Sequence, residues 1–241
     1  MKKFRKLIPA FVLLLISTAI MSSATFAWFS MNTQVTATGM SVTAKSDQIF
    51  LMVKEGHAAD ADAIQAESLI IDTATNSSAV LLPAAHTLNS SANLTNYDAA
   101  ASWYYQYSKD PSVSTASSAV FPIDSSSLGQ YVLINEFSIT VADGSNEVTN
   151  LRVANCTITT AGDAAVKVVV AGTNASEEFD GEGGAGSVAL RTANLTDSTV
   201  EYVKIYIYWD GNDSDVFTNN IADLLGTSVV VTFTGDVVPA A

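Results

Sequence analysis

The chain has 241 residues, a formal charge of −13 and 48% apolar residues, enough for one large domain or two small ones with a sizeable core. So negative a balance argues against nucleic acid and against anionic lipid headgroups as partners, since both are polyanions. Cys156 is the only cysteine, which excludes an intrachain disulfide and leaves stability to burial.

Residues 1–27 read as a secretory signal. Lys2, Lys3, Arg5 and Lys6 form a basic start, an apolar run follows from Leu7 to Met21, and Ala24-Thr25-Phe26-Ala27 supplies a small-residue cleavage site. Cleavage is expected between Ala27 and Trp28. Four of the eleven basic residues and none of the 24 acidic ones precede Trp28, so the exported chain would move from −13 to −17. If uncleaved, Leu7–Ala27 is long enough to serve as a membrane anchor. The closing Gly-Asp-Val-Val-Pro-Ala-Ala carries no hydrophobic tail and no LPxTG, so covalent wall anchoring is not expected.

A strand pattern begins directly at Trp28. Phe29, Met31, Val35 and Ala37 share one face, with Ser30, Asn32, Gln34 and Thr36 opposite. Fully extended, residues 28–39 reach about 40 Å, enough to cross a neighbouring sheet. Burying Phe29, Met31 and Val35 would contribute roughly 1.5–3 kcal/mol each before ordering costs. Past Gly39 the parity changes, with Met40 and Val42 on the other face, which marks a hinge between an exchangeable strand and residues 40–241. The alternative is that Trp28–Val42 forms the first strand or two of the chain's own sandwich.

Further strands are expected at Gln48–Val53, Ser102–Tyr107, Tyr131–Val141 and Leu151–Thr160. The last of these slips phase between Val153 and Cys156, as at a bulge. Val166, Val168 and Val170 alternate, as do Val203, Ile205, Ile207 and Trp209 with Lys204 among tyrosines opposite, and Val229, Val231 and Phe233 close the series. Asp143-Gly144, Ala161–Asp163, Gly181–Gly186 and Asp210–Asn212 separate them as turns. Residues 71–121 read as an elaborated insertion. Short helices are expected at Ala58–Ser68 and from Thr218 to Leu225. The whole predicts an all-β protein: a single antiparallel, jelly-roll-like β-sandwich with one or two short helices, preceded by a signal helix.

Catalytic motifs are scarce. His57 and His86 fall in no metalloprotease pattern, no GxSxG occurs, and Cys156 suits a small buried apolar side chain. His57 with Asp60 and Asp62 could gather a metal, although a polar loop explains the same residues. Asp210, Asn212 and Ser214 match the first ligand positions of an EF-hand, but Asp215 replaces the turn glycine and Ile221 the closing glutamate, which excludes that motif. A calcium site built from Asp210, Asn212, Asp213 and Asp215 remains one reading; a turn whose side chains cap their own backbone is the other. No other cofactor is implied. Trp103, Tyr104 and Tyr105, with Tyr206 and Tyr208 on the face that also carries Tyr202, could stack on sugar rings or fill a sandwich edge. Seven Asn-x-Ser/Thr sequons matter only in a glycosylating host.

The signal ending Thr-Phe-Ala-Trp-Phe-Ser, with a Thr- and Val-rich strand after it, resembles exported proteins processed by the SipW-type signal peptidase, the TasA and camelysin group of biofilm-matrix fibre proteins. Val203–Asp215, followed by Gly-Thr-Ser-Val-Val-Val-Thr-Phe, looks like their Gram-positive relatives, and the similarity covers about a third of the chain. The resemblance implies a jelly-roll subunit whose freed N-terminal segment adds as a strand to the next subunit. The metalloprotease label given to camelysin-type proteins is not carried over, because no zinc motif supports it. The expectation is therefore a secreted, non-enzymatic fibre or matrix subunit with copies of itself as partners, a signal peptidase acting at export, and membrane contact only through an uncleaved signal. The alternatives are a monomeric surface module that binds glycans through its aromatics, and a metallohydrolase using His57 and His86.

Overall fold

The alternation read from the sequence forms strands, and their pairing makes an all-β sandwich. The computed structural model describes residues 36–44, 51–74, 81–105, 121–159, 165–213, 216 and 227–238, all within one unit, Val35–Ala241. In chain order the strands are β1 (Thr36–Ala44), β2 (Leu51–Glu55), β3 (Ser68–Ala74), β4 (Ala85–His86), β5 (Trp103–Tyr105), β6 (Phe121–Pro122) and β7 (Val132–Val141). They continue as β8 (Val148–Thr159), β9 (Val166–Ala171), β10 (Ser176–Phe179), β11 (Gly183–Gly184), β12 (Glu201–Trp209) and β13 (Ser228–Val237).

One sheet has the order β11-β8-β13-β1-β3, the second β10-β9-β12-β7-β2, and a small third sheet β4-β5-β6. The chain passes repeatedly between the first two sheets, as in a jelly roll. Among the described residues the paired strands run antiparallel except β1 and β13, which are parallel, and an isolated parallel bridge joins Ala84 to Asp210. The phase slip read at Val153–Cys156 is a bulge, since Thr232 faces Asn155 while Phe233 faces Val153, which leaves Ala154 over.

Between the two large sheets lies the main core. Val153, Cys156 and Ile158 of β8 and Val229, Val231 and Phe233 of β13 belong to one buried cluster with Phe137, Ile139 and Val141 of β7 and Val203, Ile205 and Ile207 of β12. Each such side chain contributes roughly 1.5–3 kcal/mol by leaving water. The second sheet is unusual in burying its outer face as well. Val169 and Ala171 of β9 and Tyr206 and Tyr208 of β12 point away from the main core, into a second cluster with Tyr97, Trp103, Ile123 and Leu128. The polypeptide between β3 and β7 supplies that cover. There the short α1 (Leu94–Asp98) is capped by Asn93, whose side chain accepts from the Thr95 and Asn96 amides while Asn96 Oδ1 accepts from the Asn93 amide.

Two helical expectations fare differently. Ala58–Ser68 contains only a single 3-10 turn, Ala61–Ala63, capped by Asp60, and then Ala66 bridges to Val53 of β2. Pairing with the sheet outcompetes a weak local helix preference at this point. The helix expected from Thr218 lies outside the described residues, as do Gln106 and Tyr107 of the strand expected at Ser102–Tyr107.

Burial raises the Cys156 thiol to about 12, so the thiolate is scarce at neutral pH, roughly a thousandfold below an ordinary cysteine. A maleimide or disulfide reagent should label Cys156 only as the protein unfolds; rapid labelling of the native state would contradict its place in the core. Gly183 has φ +88°, and a Cβ there would collide with the Cys156 carbonyl across the β11–β8 pair. Gly183→Ala should therefore cost more than about 1 kcal/mol in denaturant unfolding.

Candidate functional site

Three features of the described fold bear on function: the place of the N-terminal strand, the covered aromatic layer, and a polar cluster at the rim of that layer. Ala37 of the expected assembly strand lies in β1, opposite Thr73. Trp28, Phe29, Met31 and Val35, and the expected cleavage position at Ala27 and Trp28, lie outside the described residues. β1 is an interior strand, bonded to β3 from Thr36↔Ala74 to Thr43↔Ser68 and to β13 from Ser41↔Val230 to Ala44↔Phe233. Its register against β3 shifts between Ala37 and Met40, around Gly39, where the sequence changes parity.

The aromatic residues singled out in the sequence fall into two groups. Trp103, Tyr206 and Tyr208 are buried, with Trp103 0% exposed. The Trp103 indole donates to the Tyr97 carbonyl at 2.8 Å, and its ring lies 5.1 Å from Tyr208 edge-on and 6.0 Å from Tyr206. Tyr206 donates to Asp98 at 2.8 Å, and Tyr208 to Glu178 at 3.1 Å. Burial above all, with Asp98 beside Tyr206 and Glu178 beside Tyr208, lifts both phenols above the ordinary tyrosine value. None of these three rings turns a face to solvent. Tyr104 and Tyr105 are half-buried; Tyr105 stacks between Phe121 and Tyr131 at 5.0 and 5.7 Å. Tyr202 of the same strand face stacks on His57 at 3.8 Å and donates to the Ala58 carbonyl.

At the rim of this layer His86 of β4, Lys167 of β9, Glu178 of β10 and Asp210 just past β12 converge. Nδ1 of His86 accepts the Leu88 amide, so its proton sits on Nε2, which donates to Glu178 Oε2 at 2.8 Å. Lys167 Nζ lies 3.0 Å from both Glu178 Oε1 and Asp210 Oδ2. Burial works against the Lys167 ammonium, yet the hydrogen bonds and charges of Glu178 and Asp210 outweigh it and hold the amine above the ordinary lysine value. Burial likewise opposes the Glu178 carboxylate, but His86 and Lys167 prevail and keep it down at about 2.

This arrangement bears directly on the calcium reading. Asp210 Oδ1 accepts the Asn212 amide at 2.9 Å and Oδ2 faces Lys167, so both oxygens are engaged within the fold. Asn212 donates to the Tyr104 hydroxyl at 3.4 Å, and the Asp213 amide closes the turn on the Asp210 carbonyl. Asp215 lies outside the described residues. Among the described residues no three His, Cys, Asp or Glu side chains group as metal ligands. His57 and His86 are separated in role, one stacked on Tyr202 and the other bonded to Glu178.

Sequence reasoning missed Glu178 and Lys167 as partners, and also Glu201. Glu201 is 0% exposed and bonded to Arg191 at 3.0 Å and to Thr173, which ties the loop before β12 to the second sheet. Only the position of these charges inside apolar, alternating strands could have flagged them. Comparisons with family models, curated proteins and solved structures give no match.

Trp103→Ala should cost about 3–5 kcal/mol, because it empties the middle of the second cluster. Thermal unfolding checks this, and an unchanged midpoint would mean that the covering layer carries little of the stability.

Proposed function

We propose that this protein is a secreted, non-enzymatic structural subunit that forms extracellular fibres by adding its N-terminal strand to a neighbouring copy. The observation that carries the reading is the position of β1. The strand that continues directly from the alternating residues Trp28–Val35 runs in the interior of a sheet, with hydrogen-bonded neighbours on both sides. In this structure the sheet is completed by the chain's own Thr36–Ala44, as the alternative reading has it; strand addition uses the same interior position for a neighbour's segment, with backbone bonds giving affinity and alternating side chains giving register. The bulge around Gly39 marks where one strand phase ends and another begins.

The composition agrees with this reading. A chain without disulfides but with two buried clusters can persist outside a cell on packing alone, and an acidic surface keeps unassembled copies apart. The second reading, a glycan module, is less well supported, because Trp103, Tyr206 and Tyr208 are enclosed.

Deletion of residues 28–35 leaves all of β1 in place, and circular dichroism with thermal unfolding of the deleted chain checks that its fold survives. By negative-stain electron microscopy the chain starting at Trp28 should form filaments, and the deleted chain should stay monomeric. Filaments from both chains, or from neither, would refute strand addition by this segment.

A further inference from the structure

The rim cluster holds more than an ion pair requires. An amine and two carboxylates meet there, with an oxygen of each carboxylate within hydrogen-bond distance of the same amine. Lys167 Nζ contacts Asp210 Oδ2 and Glu178 Oε1, both at 3.0 Å. The other Asp210 oxygen, Oδ1, receives the Asn212 backbone amide at 2.9 Å. The other Glu178 oxygen, Oε2, is fixed by His86 at 2.8 Å and by Tyr208 at 3.1 Å. Asp210 is only 12% exposed in its side chain, and His86 and Tyr208 pack edge-on against the Trp103 ring. Lys204 provides an internal contrast. It also lies between two carboxylates, Asp98 and Glu136, but these are 37% and 49% exposed, against 33% for Glu178 and 12% for Asp210, so the contrast rests on Asp210.

We propose that Lys167 and Asp210 condense into an intramolecular amide bond between β9 and the end of β12, with Glu178 carrying the proton. Lys167 passes one proton to Asp210 Oδ2 across their 3.0 Å contact, and the neutral amine attacks Cγ of the resulting carboxylic acid. Charge developing on Oδ1 is met by the Asn212 amide, a donor already in place. The C–Oδ2 bond breaks. Glu178 takes a second proton from the nitrogen of the adduct and hands it to Oδ2, which already carries the first and leaves as water. Ammonium plus carboxylate becomes amide plus water, Glu178 ends as it began, and no oxidant or co-reactant is consumed.

Free amines and carboxylates do not condense in water. Two groups held in contact on a rigid sheet, however, react at effective concentrations on the order of 10^5 M or more, which displaces that balance. The paired charges make the starting state stable, so the reaction is a slow maturation of the folded protein. The resulting bond would close the chain from residue 167 to residue 210, a staple that a single-cysteine chain cannot obtain from sulfur.

Peptide mass spectrometry of the purified full chain, after prolonged incubation in its folded state, tests this directly. With Lys167 acylated, trypsin should fail to cut after it. Digestion should then yield Val153–Arg191 joined to Ile205–Ala241, lighter than their sum by one water. Separate Val153–Lys167, Val168–Arg191 and unmodified Ile205–Ala241 peptides would leave an ion pair only and overturn the proposal. Glu178→Gln should abolish or greatly slow the linkage, and Lys167→Arg should abolish it. Linkage at the unchanged rate in the Glu178→Gln chain would remove Glu178 from the chemistry. If either variant fails to fold, the peptides of the unsubstituted chain still decide.

Discussion

The second sheet has no side that can face water along β9 and the second half of β12. Along β9 and β12 the inward positions hold Val166, Val168 and Val170 and Val203, Ile205 and Ile207, and the outward ones include Val169 and Ala171 and Tyr206 and Tyr208. Leaving the outward set exposed would forfeit the burial of two large aromatic rings and two aliphatic side chains, at roughly 25 cal/mol per Å² of apolar surface. The first sheet already occupies the inner side. Cover for the outer side has to come from elsewhere in the chain, and the polypeptide between β3 and β7 provides it with Tyr97, Trp103, Ile123 and Leu128. The long excursion is thereby part of the fold, a third layer on a two-sheet framework.

That layer sets the terms for the polar groups beneath it. A charge at the edge of an apolar cluster loses water and must find partners in the protein. His86, Lys167, Glu178 and Asp210 do so together, and Arg191 with Glu201 do so at another edge of the same sheet. Among the described residues no buried side-chain nitrogen or oxygen is left without a hydrogen bond. A network so fully satisfied fixes the cover in one position on the sheet, since sliding it would strand several donors and acceptors at once.

Much of the framework was legible in the residues. Period-two alternation located β7, β8, β9, β12 and β13, and the slip at Val153–Cys156 located a bulge, because a strand with one buried face cannot change phase without one. The covering layer was not legible in the same way. Its strands β4 and β6 are two residues long, and α1 is a single capped turn, too short for any period to emerge. The cluster at its rim was still less so, since His86 and Glu178 are bonded across 92 residues of sequence. Asp210 attracted attention as a calcium ligand for its neighbours in sequence, whereas Lys167 lies beside it in space. Trp103, Tyr206 and Tyr208 were visible as aromatics, but whether such rings meet a sugar or a core depends on what lies over them.

The parallel pairing of β1 with β13 determines how the molecule would carry a load. Tension applied through the chain upstream of Thr36 pulls along the axis of β1, while β3 and β13 hold it on either side. The hydrogen bonds of both pairs lie across that direction, so they resist together in shear instead of opening one at a time from an end. A strand gripped in this way yields only when the whole ladder fails. A strand held on both sides inside its sheet, as β1 is, therefore resists being peeled away by a pull along the chain.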